Sequence, residues 1–124
     1  MSIAKLEKTE WLAFFDQLER VLIGKRAEID ILSPTLGNQI QAESSSLLGI
    51  AYDPHNDVIE IILDGLDHLI YRPQALYVEY GVAGPENLEV IDGDAVQQIV
   101  IFRDLLRLPQ TIERPQGDEE RNGM

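Results

Sequence analysis

The chain has 124 residues, of which 22 are acidic and 10 basic, giving a formal charge of −12 with 44% apolar residues. One domain of ~100–150 residues accounts for that length, and burying roughly 65% of the unfolded surface supplies a core without staples. The bases are scattered, with Lys25–Arg26 the only adjacent pair, so neither nucleic acid nor an anionic membrane is expected as a partner.

The absence of cysteine excludes disulfides, zinc–thiolate sites and thiol nucleophiles together. The opening "MSIAKLEKTEW" has no continuous apolar stretch behind its lysines, and no run approaches the ~18 apolar residues that span a bilayer. A cytoplasmic location is the expectation.

From Thr9 the pattern is helical. Trp11, Phe15, Leu18 and Leu22 fall on one face at 3.6-residue spacing, while Asp16, Gln17, Glu19 and Arg20 lie mostly on the other. With Thr9 as N-cap and Gly24 as stop, an amphipathic helix is expected over about residues 10–23.

After Gly24 the period drops to two. In "KRAEIDILS", Ala27, Ile29 and Ile31 alternate with polar neighbours, and "SPTLGN" follows as a turn. "NQIQAES", "SLLGIAYDP", "DVIEIILDG", "HLIYRP", "ALYVEYG", "NLEVID" and "AVQQIVIFRD" read as further strand segments, with Gly93-Asp94 as a two-residue hairpin signal. One helix followed by six or seven short strands, with turns every ~8–12 residues, makes an α+β domain built on an antiparallel meander.

A small bent barrel with the helix over one end is the preferred architecture. An open sheet with the helix across one face satisfies the same pattern, because closure depends on bulges and twist. The globular domain is expected to span residues 1–108, with β structure over about 25–104, and 109–124 to form a flexible, disordered acidic tail. Just before that tail, "DLLRLPQTI" keeps Leu105, Leu106, Leu108 and Ile112 apolar. This segment is expected to close the sheet's own edge rather than dock on a partner.

The chemistry-bearing residues concentrate in "LLGIAYDPHNDVIEIILDGLDHLIYRP", residues 47–73, which holds both histidines and the aspartates Asp53, Asp57, Asp64 and Asp67. Asp-Pro-x-Asn and Asp-Gly are turn chemistry: the aspartate accepts from backbone two residues on, proline pre-sets φ, and asparagine or glycine tolerates left-handed backbone. A metal would need three or four converging ligands. If the two strands form a hairpin, His55 and His68 lie at opposite ends, roughly 15–20 Å apart, so no metal site and no cofactor is expected.

Asp64, Asp67 and His68 remain the candidates for a ligand-binding turn, and His68 beside Asp67 has the composition of a base with its orienter. A histidine at a strand start also serves simply to satisfy a turn carbonyl. Ser44, Ser45 and Ser46 lack the glycine-flanked elbow of a nucleophile. Glu60, Glu79 and Glu89 fall on solvent faces of their strands, and no catalytic residue is assigned. Tyr52, Tyr71, Tyr77 and Tyr80 lie in neighbouring strand segments and are the candidates for an interaction surface, since tyrosine suits a face both apolar and wet.

"EWLAFFDQLERVLIGKRAEIDI", "LLGIAYDPHNDVIEIILDGLDHLIYRP" and "LEVIDGDAVQQIVIFRDLLRLP" together resemble a family of short bacterial proteins classed as a domain of unknown function. The resemblance covers about residues 6–109 and implies a compact bacterial domain. It carries no reaction, cofactor or site residue to any position here. The expected function is therefore a non-enzymatic interaction or structural module that associates with itself or with a protein partner. The alternative is a small-molecule or metal binder at the Asp64–His68 turn, and the third reading is a small enzyme.

Overall fold

The computed structural model describes residues 2–35 and 37–103. The expectations for 105–112 and for the tail 109–124 lie outside the described residues. The described residues form eight strands and one α-helix: β1 (Ser2–Leu6), a 3-10 turn (Lys8–Glu10), α1 (Trp11–Leu22), β2 (Arg26–Ser33), β3 (Gly37–Asp53), β4 (Val58–Leu63), β5 (Leu66–Tyr71), β6 (Ala75–Gly81), β7 (Gly84–Ile91) and β8 (Gln97–Arg103). They form one antiparallel sheet in the order β1-β6-β7-β8-β2-β3-β4-β5.

The α+β class holds, with corrections of detail. The additional strand is β1, which pairs with β6 although its short "SIAKL" carries only weak alternation. The segments "NQIQAES" and "SLLGIAYDP" are one 17-residue strand. Its first part pairs with β2 and its second with β4, and register shifts opposite Ala27–Asp30 and at Leu47–Gly49 bend it between the two. A bulge leaves pairing intact on both sides while turning the strand, so serine-rich sequence at the corner was compatible with either reading.

Thr9 does not cap the helix. Glu7 and Glu10 form a capping box on the preceding 3-10 turn, with Glu7 N–H donating to Glu10 Oε1 at 2.9 Å. Gly24 does end the helix, at φ +91°. The β7–β8 loop is wider than two residues: Asp92 N–H donates to the Val96 carbonyl, and Ala95, not Gly93, takes the left-handed backbone at φ +64°.

Among the described residues the sheet is not closed by hydrogen bonds, and β1 and β5 are its two ends. It is nevertheless strongly curled. Strands β5 and β6 stand six places apart in the order, which in a flat sheet is ~29 Å. Only Arg72, Pro73 and Gln74 join them, a link that reaches ~14 Å at most. Arg72 turns this corner at φ +50°, its N–H donating to the Asp57 carbonyl.

The concave side holds the core. Leu76 and Val78, Leu88 and Val90, Val100, Ala27 and Ile29, Leu47 and Ile50, and Ile59 and Ile61 all point inward and are buried. The helix adds the four residues its periodicity selected, Trp11, Phe15, Leu18 and Leu22, each at most 3% exposed. Trp11 meets Tyr52 edge-to-face at 5.2 Å, and Glu19 accepts the Ile50 N–H beside the β3 bulge. Helix α1 is thereby fixed across the corner strand.

Candidate functional site: the two faces of strand β5

The "YDPHND" turn behaves as its composition dictates. Asp53 Oδ1 accepts from the N–H groups of His55 and Asn56, and Asp53 Oδ2 accepts from the Asn56 amide at 2.8 Å. That last bond, with the backbone donors, holds the Asp53 carboxyl below the usual carboxylate range. The left-handed residue of the turn is Asp57, at φ +54°.

Asp57 also ties three segments together. Its Oδ1 accepts from the Tyr52 hydroxyl at 2.8 Å, and Lys8 Nζ lies 3.0 Å away and also donates to the Pro73 carbonyl. Burial pushes the Asp57 carboxyl up, but hydrogen bonds from Lys8 and Tyr52 and the lysine's charge outweigh it, so the net direction is down. Burial and the bonded carboxylate push the Tyr52 phenol up to about 12.

Both histidines sit where the strand pattern puts them, and far from a shared role. His55 is exposed at the β3–β4 turn, and His68 is 9% exposed inside the curl. Asp64 is exposed in the β4–β5 turn, where Gly65 supplies φ +90°. Successive strand residues face opposite ways, so Asp67 projects outward while His68 projects inward. The three candidates Asp64, Asp67 and His68 therefore do not converge. Among the described residues, no group of three or more His, Asp or Glu side chains is placed to hold a metal ion.

On the inner face, His68 belongs to a polar chain that crosses the core. His68 Nε2 lies 2.6 Å from Gln98 Oε1 on β8, and Gln98 Nε2 donates to Asp92 Oδ2 at 2.8 Å. The Asp92 carboxylate only accepts, which sets the amide's orientation and leaves His68 Nε2 as the donor to Gln98. Asp92 Oδ1 accepts from the N–H groups of Asp94 and Val96, capping the β7–β8 loop. Strand β5 is thus clasped to β8, four places away in the sheet. Gln98 and Asp92 were not singled out from the sequence; the one signal was a glutamine on the inward side of "QQIVIF", blurred by a second glutamine beside it.

The outer face of β4 and β5 is a checkerboard. Ile62 stands opposite Asp67, Glu60 opposite Leu69, and Val58 opposite Tyr71. Ile62 and Leu69 are each 36% exposed and Tyr71 is 56% exposed. Glu60 lies diagonal to Asp67, and the neighbouring carboxyl holds Glu60 above the usual carboxylate range.

The four tyrosines do not form one surface. Tyr52 and Tyr80 pack toward the core, Tyr77 carries the Lys5 ammonium over its ring at 5.9 Å, and Tyr71 lies on the checkerboard. Glu79 accepts from Asn87, Glu89 pairs with Gln97, and Ser44 is engaged by Arg26. Ser45 Oγ donates to the Asp64 carbonyl. These side chains brace neighbouring strands.

A curled antiparallel sheet with one covering helix, a polar clasp inside and an acidic–apolar face outside defines a small α+β domain. The chain belongs to the family of unknown function DUF5335, whose model matches residues 2–111. It is also similar to an uncharacterized protein of Aquifex aeolicus, 32% identical over 111 residues, which is 89% of this chain and 100% of the relative. No solved structure matches the chain. No helix among the described residues is long and apolar enough to cross a membrane.

Proposed function

We propose that this domain is a non-catalytic interaction module, and that strand β5 takes up an extended segment of a protein partner rich in Lys or Arg and apolar residues. The observation that carries the reading is the outer checkerboard ending at an open sheet edge. Ile62, Leu69 and Tyr71 offer exposed apolar area, Glu60 and Asp67 crowd two carboxyls among them, and no described strand pairs with the far side of β5.

Charge selects the class of partner. A cation beside Glu60 and Asp67 relieves their repulsion, whereas a second copy of a −12 chain adds to it. Backbone pairing supplies affinity in strand addition, and alternate side chains supply specificity. The other sheet end, β1, is less suited: Lys5 sits on it, and a lysine on an edge strand discourages pairing.

The test is a titration with an eight-residue peptide alternating Lys and Val, against a Glu/Val control. The expected result is saturable binding of the basic peptide alone, weakened at least ~10-fold by Leu69→Asp with Tyr71→Asp and falling with salt. Equal binding of both peptides, or no effect of the paired substitution, contradicts the reading. A dimer built on this same face, seen by sedimentation, would replace the basic partner with a second copy.

A further inference from the structure

A chemical difference between two turns stands independently of the reading above. The dipeptide Asp-Gly occurs twice, at Asp64–Gly65 and at Asp92–Gly93. In such a pair the glycine nitrogen can close a cyclic imide on the aspartyl side chain, because no Cβ on the glycine obstructs the approach. Opening of that ring by water can reroute the backbone through the side chain. The two turns give this chemistry very different access.

At Asp92–Gly93 both reacting groups are taken. Asp92 Oδ1 accepts from the N–H groups of Asp94 and Val96, Oδ2 accepts from Gln98 Nε2, and the Gly93 N–H donates to the Tyr71 carbonyl at 3.2 Å. Arg72 also covers Gly93 so closely that a Cβ there would overlap its guanidinium. At Asp64–Gly65 the reverse holds. Both residues are exposed, and a Cβ on Gly65 would meet open space. Among the described residues, neither the Asp64 carboxyl nor the Gly65 N–H has a hydrogen-bond partner. One side chain does act on this turn: Ser45 Oγ donates to the Asp64 carbonyl at 3.2 Å.

We propose that Asp64–Gly65 is a site of isoaspartate formation, promoted by Ser45, and that the conversion loosens strand β5. The Gly65 nitrogen gives up its proton and bonds to Cγ of the protonated Asp64 carboxyl, and the carboxyl hydroxyl leaves with that proton as water. Charge on the attacking nitrogen spreads to the Asp64 carbonyl oxygen, where the Ser45 hydroxyl donates. A water then adds at the Asp64 backbone carbonyl carbon and breaks its bond to the Gly65 nitrogen. The chain now runs through Cγ, longer by a methylene, and the former backbone carbonyl is a free carboxylate; nothing is oxidised or reduced. Leu63 pairs with Leu66 directly across these two residues, and in a hairpin this short the loop sets the register. The added methylene falls at the entry to β5, which among the described residues pairs with β4 alone.

The full-length protein is held at physiological temperature in near-neutral buffer, beside a sample unfolded in guanidinium chloride, until both sites of the unfolded chain have converted measurably. Peptide mapping with electron-transfer fragmentation distinguishes the two backbone isomers at each site. In the native protein Asp64 is expected to isomerise at least ~10-fold faster than Asp92, which must first release its hydrogen bonds, while the two rates converge in guanidinium. Ser45→Ala is expected to slow conversion at Asp64 about threefold, the worth of one exposed hydrogen bond. Equal native rates, a faster Asp92, no native conversion at Asp64, or an unchanged rate in Ser45→Ala overturns the assignment. In the isomerised fraction, the amides of Leu66–Tyr71 are expected to exchange at least ~10-fold faster than in the unmodified chain. Unchanged exchange there overturns the loosening of β5.

Discussion

The two faces of β5 do different work with adjacent residues. Inward, His68 is buried and bound through Gln98 to Asp92, so it locks the sheet's curl. Outward, Asp67 lies beside Glu60 and raises its carboxyl, in an exposed, half-apolar surface that contributes little to the core. Neighbours in sequence can look like a catalytic pair and still be separated by the thickness of a strand. The period of two decides which function each can serve.

The largest expected effect lies on the inner face. His68→Ala opens a cavity and strands the Gln98 carbonyl, which should lower unfolding free energy by about 2–4 kcal/mol in urea melts. His68→Leu with Gln98→Leu should cost clearly less than the two single changes summed, because the double change leaves fewer unpaired buried groups. Additive losses would mean that the clasp is not a unit.

Next comes the Asp57 junction, where Asp57→Asn should cost about 1–2 kcal/mol at neutral pH, reduced from a buried bond by its partial exposure. Its folded carboxyl is depressed, so the stabilisation is present above the ordinary value of about 4 and is lost as pH falls through the folded one. Wild type and variant should therefore converge in acid melts. The linked phenol behaves oppositely. Tyr52 is raised to about 12, so its contribution holds below the ordinary value of about 10 and drains away between the two. Tyr52→Phe should flatten that alkaline loss.

The smallest effects belong to exposed sites. Ala95→Gly should stabilise by about 0.5–1 kcal/mol, since φ +64° disfavours an L side chain and not glycine. On the outer face, Glu60→Gln should leave the melting temperature within about 2 °C of wild type while weakening the basic peptide. Loss of fold from Glu60→Gln would erase the distinction between the faces.

Much of this arrangement was legible in the sequence. The helix and its four buried residues follow from a 3.6-residue period, and the alternation in "DVIEIILDGLDHLIY" sorts Ile59, Ile61, His68 and Ile70 to one side. Asp53 as a turn acceptor follows from Asp-Pro chemistry. Strand order was not legible, because β8 joins β2 and β6 joins β1 through contacts distant in sequence. The clasp was hidden for the same reason: His68 and Gln98 are 30 residues apart and meet only once the sheet curls. The Glu60–Asp67 pair was hidden more shallowly, requiring only the β4–β5 register.

We propose that β5 takes up a basic, apolar strand at its edge and outer face. Amide-resolved hydrogen exchange with and without the Lys/Val peptide tests it directly. Added protection is expected at Leu66–Tyr71 alone, with β1 unchanged. Protection on β1, or none on β5 at saturating peptide, would contradict it.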